Sequence, residues 1–314
     1  MYQEDYKQIL PTEKRCIIVS SEDQRVARRV VFGKFKTEKE FEEDYREHYK
    51  EEKTRQIISG KEFPVGLVFI ADDFGEAGKV PEKHLVEFIR KLSVKNKWSH
   101  YPSSSLRDNY EFEHLQQLNV SEFWDDTLPV QEADYVSMFI ATLTAVKTKE
   151  LKTFLVNGKN LSHFEEMLKQ IIEPTFGNPD VYITNNFIDW EEIRKIEKIN
   201  PKVVLLFGNS IITESMANHL IKKDIHIIPP SVTQLGNMLI SEGIFNKSRE
   251  VSESFQLINK ACSDLNQSLW RYAENYKVNF YTVVDEIYKA HTDENETSRF
   301  RLDYKEIGAM SYRA

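Results

Sequence analysis

The stretch KINPKVVLLFGNSIITE, Lys198 to Glu214, decides the fold class of this chain. Its apolar run, residues 203–207, has the length and the β-branched content of a buried strand. The run stops at Gly208-Asn209-Ser210, and a helical pattern begins after Thr213, which is a good N-cap residue. A buried strand that leads through a short polar turn into a helix is the repeating unit of a parallel α/β sheet.

The same alternation of strand and helix continues on both sides of this stretch. Apolar, β-rich runs predict strands near residues 153–157, 181–184, 203–207, 225–228 and 278–284. Amphipathic runs lie between them, and one of these begins at Asp189, another good N-cap. The pattern therefore predicts an α/β fold, a Rossmann- or flavodoxin-like parallel sheet with helices on both faces, for a domain covering residues 151–314.

Residues 1–150 are less regular. The segments RCIIVSS and VGLVFIADD have the composition of strands, and EKEFEEDYREHYKEEKTRQII has that of a solvated helix. These segments predict either a second α/β region or an elaboration of the first. The boundary near residue 150 depends only on the polar run KTKE.

Composition and charge narrow the possible partners. The chain has 314 residues, 40% of them hydrophobic, so it can bury a large core. Its net charge is −8, with basic and acidic residues interleaved, which disfavours binding to nucleic acid. Its two cysteines, Cys16 and Cys262, form no metal-binding or disulfide pattern, and no apolar run is long enough for a membrane span. We expect a cytoplasmic protein with a small-molecule or carbohydrate ligand; a homo-oligomer is possible.

Small polar residues follow each predicted strand. In open parallel sheets the ligand binds outside the carboxyl ends of the strands, where glycine permits close approach and amides and hydroxyls supply hydrogen bonds. The predicted substrate-binding residues are Gly158, Asn160, Thr184, Asn185, Gly208, Asn209, Ser210, Ser231 and Thr233.

A structural role competes with this interpretation. Asn, Ser and Thr after a strand are often turn formers or helix caps, so Asn209 and Ser210 either face a ligand or stabilise the turn. His226 lies inside an apolar strand, where a hydrogen-bonded core histidine is the usual finding.

Three residues are candidates for catalysis. Asp73 follows an apolar run beside Asp72, where paired carboxylates can bind Mg²⁺ or exchange protons. Asp285 follows the predicted strand 278–284, and Ser162 is the hydroxyl nearest to the first strand end of the sheet. The sequence has no phosphate-binding glycine loop, dinucleotide fingerprint, zinc spacing or GxSxG turn, so the cofactor is unknown and no metal site is predicted.

The order of segments in the second half resembles the SGNH hydrolase and acyltransferase group, in particular its carbohydrate O-acetyltransferase branch. The resemblance covers about residues 151–290 through KTFLVNGKNLSHF, IEKINPKVVLLFGNS and HIIPPSV. It implies an α/β fold and acyl transfer to a carbohydrate. The catalytic motifs depart from the group's pattern: Gly158-Lys159-Asn160 replaces Gly-Asp-Ser, and Asp303 is not followed by a histidine three residues later.

Two functions of different classes follow. The first is a transferase or related enzyme for glycosyl or acyl transfer on a polar small molecule or carbohydrate, with its site at the carboxyl ends of the strands. The second is a non-catalytic module that binds a ligand or a protein through the same sheet, which the missing serine and histidine favour.

Overall fold

The computed structural model describes residues 16–20, 26–27, 29–34, 38–60, 66–72, 99–100, 130–158, 161–186, 188–208, 210–241, 250–292 and 298–302. The chain divides into two compact units, Met1–Tyr49 with Phe63–Leu128, and Lys50–Glu62 with Pro129–Ala314. This division differs from the predicted boundary near 150. The reason is that the helix at residues 130–149 packs against helices of the second unit.

The first unit contains β-strands in two small groups. The strands are β1 (Cys16–Ser20), β2 (Val26–Ala27), β3 (Arg29–Lys34), β4 (Gly66–Asp72) and β5 (Ser99–His100). Strand β4 is central in the order β1-β4-β3; it pairs antiparallel with β1 and parallel with β3. Strands β2 and β5 form a short parallel pair. Both predicted N-terminal strands are confirmed.

Helix α1 (Glu38–Ser59) forms where the sequence predicts a solvated helix. The prediction of a helix is confirmed, but solvation is wrong for its last turns. Six polar side chains there are buried: Glu51, Glu52, Thr54, Arg55, Gln56 and Ser59. Glu52 and Arg55 pair with each other, and Glu51 accepts a hydrogen bond from the Ser231 N–H; the local sequence reveals neither contact.

The second unit alternates strands and helices. Its strands are β6 (Thr153–Asn157), β7 (Glu173–Pro174), β8 (Val181–Thr184), β9 (Val203–Leu206) and β10 (His226–Ile228). Its helices are α2 (Val130–Lys149), α3 (Ser162–Leu168), α4 (Trp190–Ile199), α5 (Glu214–Ile221), α6 (Pro230–Thr233), α7 (Leu235–Ser241), α8 (Val251–Tyr276) and α9 (Phe280–Thr292). Asp189 and Thr213 cap α4 and α5, as predicted.

The strands of this unit form one parallel sheet in the order β10-β9-β8-β6-β7. All four residues of β9 are fully buried. Because successive side chains of a strand point to opposite faces, both faces of the sheet are covered at β9. The predicted α/β fold with a parallel sheet is therefore confirmed, and its carboxyl edge is where the predicted site residues collect.

The predicted fifth strand, 278–284, is wrong: residues 280–292 form helix α9. The apolar side chains Phe280, Val283, Val284 and Ile287 are all buried, and their spacing is helical. Asn279 precedes the helix, and its side-chain oxygen accepts a hydrogen bond from the Tyr281 N–H at 3.1 Å. This N-terminal cap stabilises the first turn of the helix and so favours a helix over the predicted strand.

Candidate functional site

The turn after β9 is held by Ser210. Gly208 adopts a left-handed backbone with φ of 65°, which glycine tolerates without strain. The Ser210 hydroxyl accepts a hydrogen bond from the Phe207 N–H at 2.8 Å and lies 2.8 Å from the Thr184 carbonyl oxygen, to which it can donate its proton. Ser210 is fully buried, so its hydroxyl ties two strand ends together and does not face a ligand. Asn209 lies outside the described residues.

Replacing Ser210 with alanine should lower the free energy of unfolding by about 1–2 kcal/mol, because two buried hydrogen bonds disappear. Chemical denaturation measures this change. Ser162→Ala is the matched control, since Ser162 is exposed at the start of α3 and makes no cap hydrogen bond. If Ser210→Ala leaves the free energy of unfolding unchanged, the role of Ser210 in the turn is contradicted, and the residue is again a candidate ligand contact.

The ends of β6 and β8 meet through their amides. An ideal Cβ built on Gly158 would lie 2.2 Å from the Asn185 side-chain oxygen, so the Asn185 amide sits directly on this glycine. The Asn186 side chain donates to the Asn157 carbonyl oxygen at 3.0 Å. The Thr184 hydroxyl accepts from the Asn186 N–H at 3.1 Å. The side-chain amides at the strand ends thus link the end of β8 to the end of β6.

A tyrosine and a glutamate lie beneath these amides. The Tyr182 hydroxyl donates to Glu192 Oε1 at 2.6 Å, and the Asn157 amide donates to the Tyr182 hydroxyl and to the same carboxylate. Burial and the Glu192 carboxylate raise the pKa of Tyr182, so its phenol stays neutral at ordinary pH. Sequence reasoning missed Tyr182 and Glu192. The only signal was an acidic residue in the first turn of α4, which is common to many helices.

The residues after β10 also bond within the protein. The Thr233 hydroxyl donates to the Leu206 carbonyl oxygen at 2.6 Å, at the end of β9. The Ser231 N–H donates to Glu51 Oε2 at 2.8 Å. Both Ser231 and Thr233 are fully buried. The structure therefore places them at the predicted edge of the sheet, but inside the packing.

The three catalytic candidates are not brought together among the described residues. Ser162 is exposed at the start of α3, and Asp73 lies outside the described residues. Asp285 does not follow a strand as predicted; it lies within α9. There it contacts Lys50 and lies 2.8 Å from Lys289 Nζ. Burial alone would raise its pKa, but these two lysines outweigh burial and lower it, so Asp285 is ionised. The geometry is that of an ion pair rather than of an acid or base.

His226 is the core histidine that the sequence indicates. Its Nδ1 accepts a hydrogen bond from the Phe280 N–H at 3.2 Å, and its ring lies 5.1 Å from that of Trp270. Burial lowers its pKa to about 4, so the ring is neutral at ordinary pH. Within the described ranges, no group of three or more His, Cys, Asp or Glu side chains is arranged to hold a metal ion.

The comparisons with known proteins show a fold and no family. No family model matches the chain, and no curated protein matches it. Among solved structures, L-tryptophan dehydrogenase from Nostoc punctiforme is similar at a TM-score of 0.54 and 11% identity, over 90% of this chain and 92% of that one. The hetero-hexameric glutamate dehydrogenase of Thermus thermophilus in its Leu-bound form gives a TM-score of 0.56 at 9% identity, over 93% and 94%.

A glutamate dehydrogenase from Peptoniphilus asaccharolyticus gives a TM-score of 0.51 at 12% identity, over 88% of this chain and 91% of that one. The chain thus has the α/β fold of amino-acid dehydrogenases. These structures give no support to glycosyl or acyl transfer, and the SGNH resemblance stays a prediction. In the part of the chain that the structure describes, no helix is both long and apolar enough to cross a membrane.

The residues present do not fit a dinucleotide. Sheets of this class bind one through G-x-G-x-x-G between the first strand and its helix, where the second glycine admits the pyrophosphate. Counted from Gly158, the second and third positions are Asn160 and His163. The Asn185 side-chain oxygen lies beside Gly158, and β8 ends at Thr184 and is followed directly by Asn185 and Asn186, where a carboxylate for a ribose would stand. The position that would admit the pyrophosphate carries asparagine instead of glycine, and Asn160 itself lies outside the described residues.

Proposed function

We propose that this protein is a non-catalytic module that binds a polar small molecule and that uses a dehydrogenase-type sheet as a scaffold without a dinucleotide. The observation on which this proposal rests is the Asn185 amide seated on Gly158. The Ser210 and Thr233 hydroxyls at the other strand ends support it, because they bond to the backbone within the protein. What remains accessible at the rim is Gly158 with the partly buried Asn157, Asn185 and Asn186, a neutral hydrogen-bonding surface.

Dinucleotides should leave the unfolding free energy unchanged. A ligand that binds only the folded state stabilises it by RT ln(1 + [L]/Kd), which is about 2.7 kcal/mol at one hundred times Kd. Thermal unfolding with 10 mM NAD⁺, NADP⁺ or ADP-ribose, each as a ~100-fold excess over a Kd of ~0.1 mM, would reveal such binding. The same screen with amino acids and neutral sugars tests whether the protein binds a polar small molecule. A compound that stabilises the fold should also show saturable binding in titration calorimetry.

An oxidoreductase acting on an amino acid is the second candidate. The observation that favours it is the extent of the structural similarity, which covers about nine tenths of this chain and of the tryptophan dehydrogenase. Absorbance at 340 nm with each amino acid and NAD⁺ or NADP⁺ separates the two candidates. Reduction of NAD⁺ or NADP⁺ in the presence of an amino acid would overturn the non-catalytic proposal. Binding of a ligand without this reduction supports it.

Asn185→Gly sharpens this test. Removing the amide clears the space beside Gly158 without changing the charge of the rim. If the amide excludes the dinucleotide, the variant should gain a thermal shift with NAD⁺ that the parent lacks. Asn186→Gly, on the neighbouring residue, serves as the matched control.

A further inference from the structure

A carboxylate is buried in α1 without an ion pair. Glu51 is 6% exposed, and it accepts a hydrogen bond from the Ser231 N–H at the start of α6 at 2.8 Å. No cation of the described residues lies within salt-bridge distance of it. A buried charge normally requires a partner, so this position is costly for the ionised form.

The nearest cations have other partners. Lys50 contacts Asp285 of α9, and its ammonium group lies 5.6 Å from the ring centres of Tyr281 and Tyr288. The Arg55 guanidinium bonds to Glu52 Oε1 at 2.8 Å and to Gln234 Oε1 at 3.0 Å. Both cations act on Glu51 through their charges, while their hydrogen bonds go to these other groups.

We propose that Glu51 makes the packing of residues 50–60 onto α6, α7 and α9 dependent on pH, with the protonated side chain holding the segment and the ionised one loosening it. This segment is otherwise held by Lys50 on Asp285, by Arg55 on Gln234, and by the Ser59 hydroxyl near the Met238 sulfur of α7. The charges of Arg55 and Lys50 act on Glu51. Arg55 bonds to Glu52, and Lys50 contacts Asp285 of α9, which also pairs with Lys289. Helix α2, which packs on α6, buries Asp134.

Titration gives the sign of the effect. Burial raises the pKa of Glu51 above its ordinary 4.5, although the Ser231 hydrogen bonds and the charges of Arg55 and Lys50 oppose this. The folded state then binds the proton more tightly than the unfolded state. Stability from Glu51 is full below pH 4.5 and is lost as the pH rises through the folded pKa.

Asp285 responds in the opposite sense. Its pKa is lowered, so its contribution is present above the unfolded pKa of 3.8 and is lost as the pH falls through the folded value. A pH series therefore distinguishes the contributions of the two carboxyl groups to stability. Loosening towards alkaline pH belongs to Glu51, and loosening in strong acid belongs to Asp285.

Hydrogen exchange of the full chain between pH 5 and pH 9 tests the proposal. Exchange rates of peptides covering residues 51–60, corrected for the intrinsic pH dependence, should rise with pH. The exchange rate should rise about tenfold for each pH unit between the pKa of Glu51 in the unfolded state and its pKa in the folded state. Peptides from α8 should show no such rise and serve as the internal control.

Glu51→Gln keeps the acceptor for the Ser231 N–H but cannot ionise, so its corrected exchange should not change with pH. A variant that keeps the wild-type slope, or a wild type without a slope, would overturn the proposal. If Glu51→Gln does not fold, the carboxyl carbon shift of Glu51 in the wild-type chain decides: titration at the ordinary glutamate pKa excludes the mechanism, and a raised midpoint that coincides with the exchange transition supports it.

Discussion

Gly236→Ala should lower the free energy of unfolding by about 3 kcal/mol, at the upper end of the usual cost of overpacking a core. A Cβ on Gly236 would lie 1.8 Å from the Ala133 carbonyl oxygen and 2.4 Å from its carbon. Both atoms belong to the backbone of α2, so no side-chain rotation can relieve the clash, and α7 must move away from α2. Helix propensity alone predicts the opposite sign, since alanine is favoured over glycine in a helix by about 1 kcal/mol.

Gly177→Ala is the matched control for this substitution. Its Cβ would meet only the Thr175 hydroxyl, at 3.6 Å, and Gly177 is exposed with no left-handed backbone. We expect a change within about 0.5 kcal/mol for this surface site. Urea denaturation of both variants gives the comparison. If Gly236→Ala is as stable as the parent, the close approach of α2 and α7 is incorrect.

The sequence predicts the sheet because its strands alternate with helices. The runs at β6, β8, β9 and β10 are short and apolar, and helices α4 and α5 begin at the caps Asp189 and Thr213, which is sufficient to indicate parallel strands. The run at 278–284 has the same composition, yet it forms the start of α9. Its helical spacing becomes visible only when Ile287 and the Asn279 cap are included, so a short window favours the wrong structure.

The site is less predictable than the fold because its hydrogen bonds are not local. The rule for strand ends correctly locates Thr184, Ser210 and Thr233 at the carboxyl edge of the sheet. Ser210 and Thr233, however, also bond to carbonyl oxygens on neighbouring strands, which lie 26 and 27 residues away in sequence. Whether a hydroxyl faces a ligand or a strand end depends on such contacts, and a sequence pattern does not contain them.

The charged part of α1 shows the same limit over a longer separation. Its glutamates, lysines and arginine have the composition of a solvent-exposed helix, and sequence reasoning therefore predicts solvation. Glu51 and Arg55 instead meet residues 180 and 179 positions away, at Ser231 and Gln234. Local charge density cannot distinguish a solvated helix from one whose charged side chains are buried inside the protein.

Leu205→Ala should lower the free energy of unfolding by about 2–5 kcal/mol. Leu205 is fully buried in β9, between Ile183 of β8 and Ile228 of β10 in the register of the sheet. Its neighbours Val204 and Leu206 belong to the core cluster formed with α4 and α5, so Leu205 points to the opposite face. A leucine enclosed on that face leaves a cavity when it is shortened, because a β-sheet with strands on both sides cannot collapse into the space.

Val251→Ala is the control for the loss of apolar side-chain volume without a cavity. Val251 is 38% exposed at the first residue of α8, where alanine is also the better helix former. We expect its unfolding free energy to change by less than about 0.5 kcal/mol. Chemical denaturation gives the unfolding free energy of both variants, and equal m-values allow the two changes to be compared directly. A cost below about 1 kcal/mol for Leu205→Ala would contradict the coverage of β9 on both faces, since half-exposed strands lose little when a methyl-rich side chain is shortened.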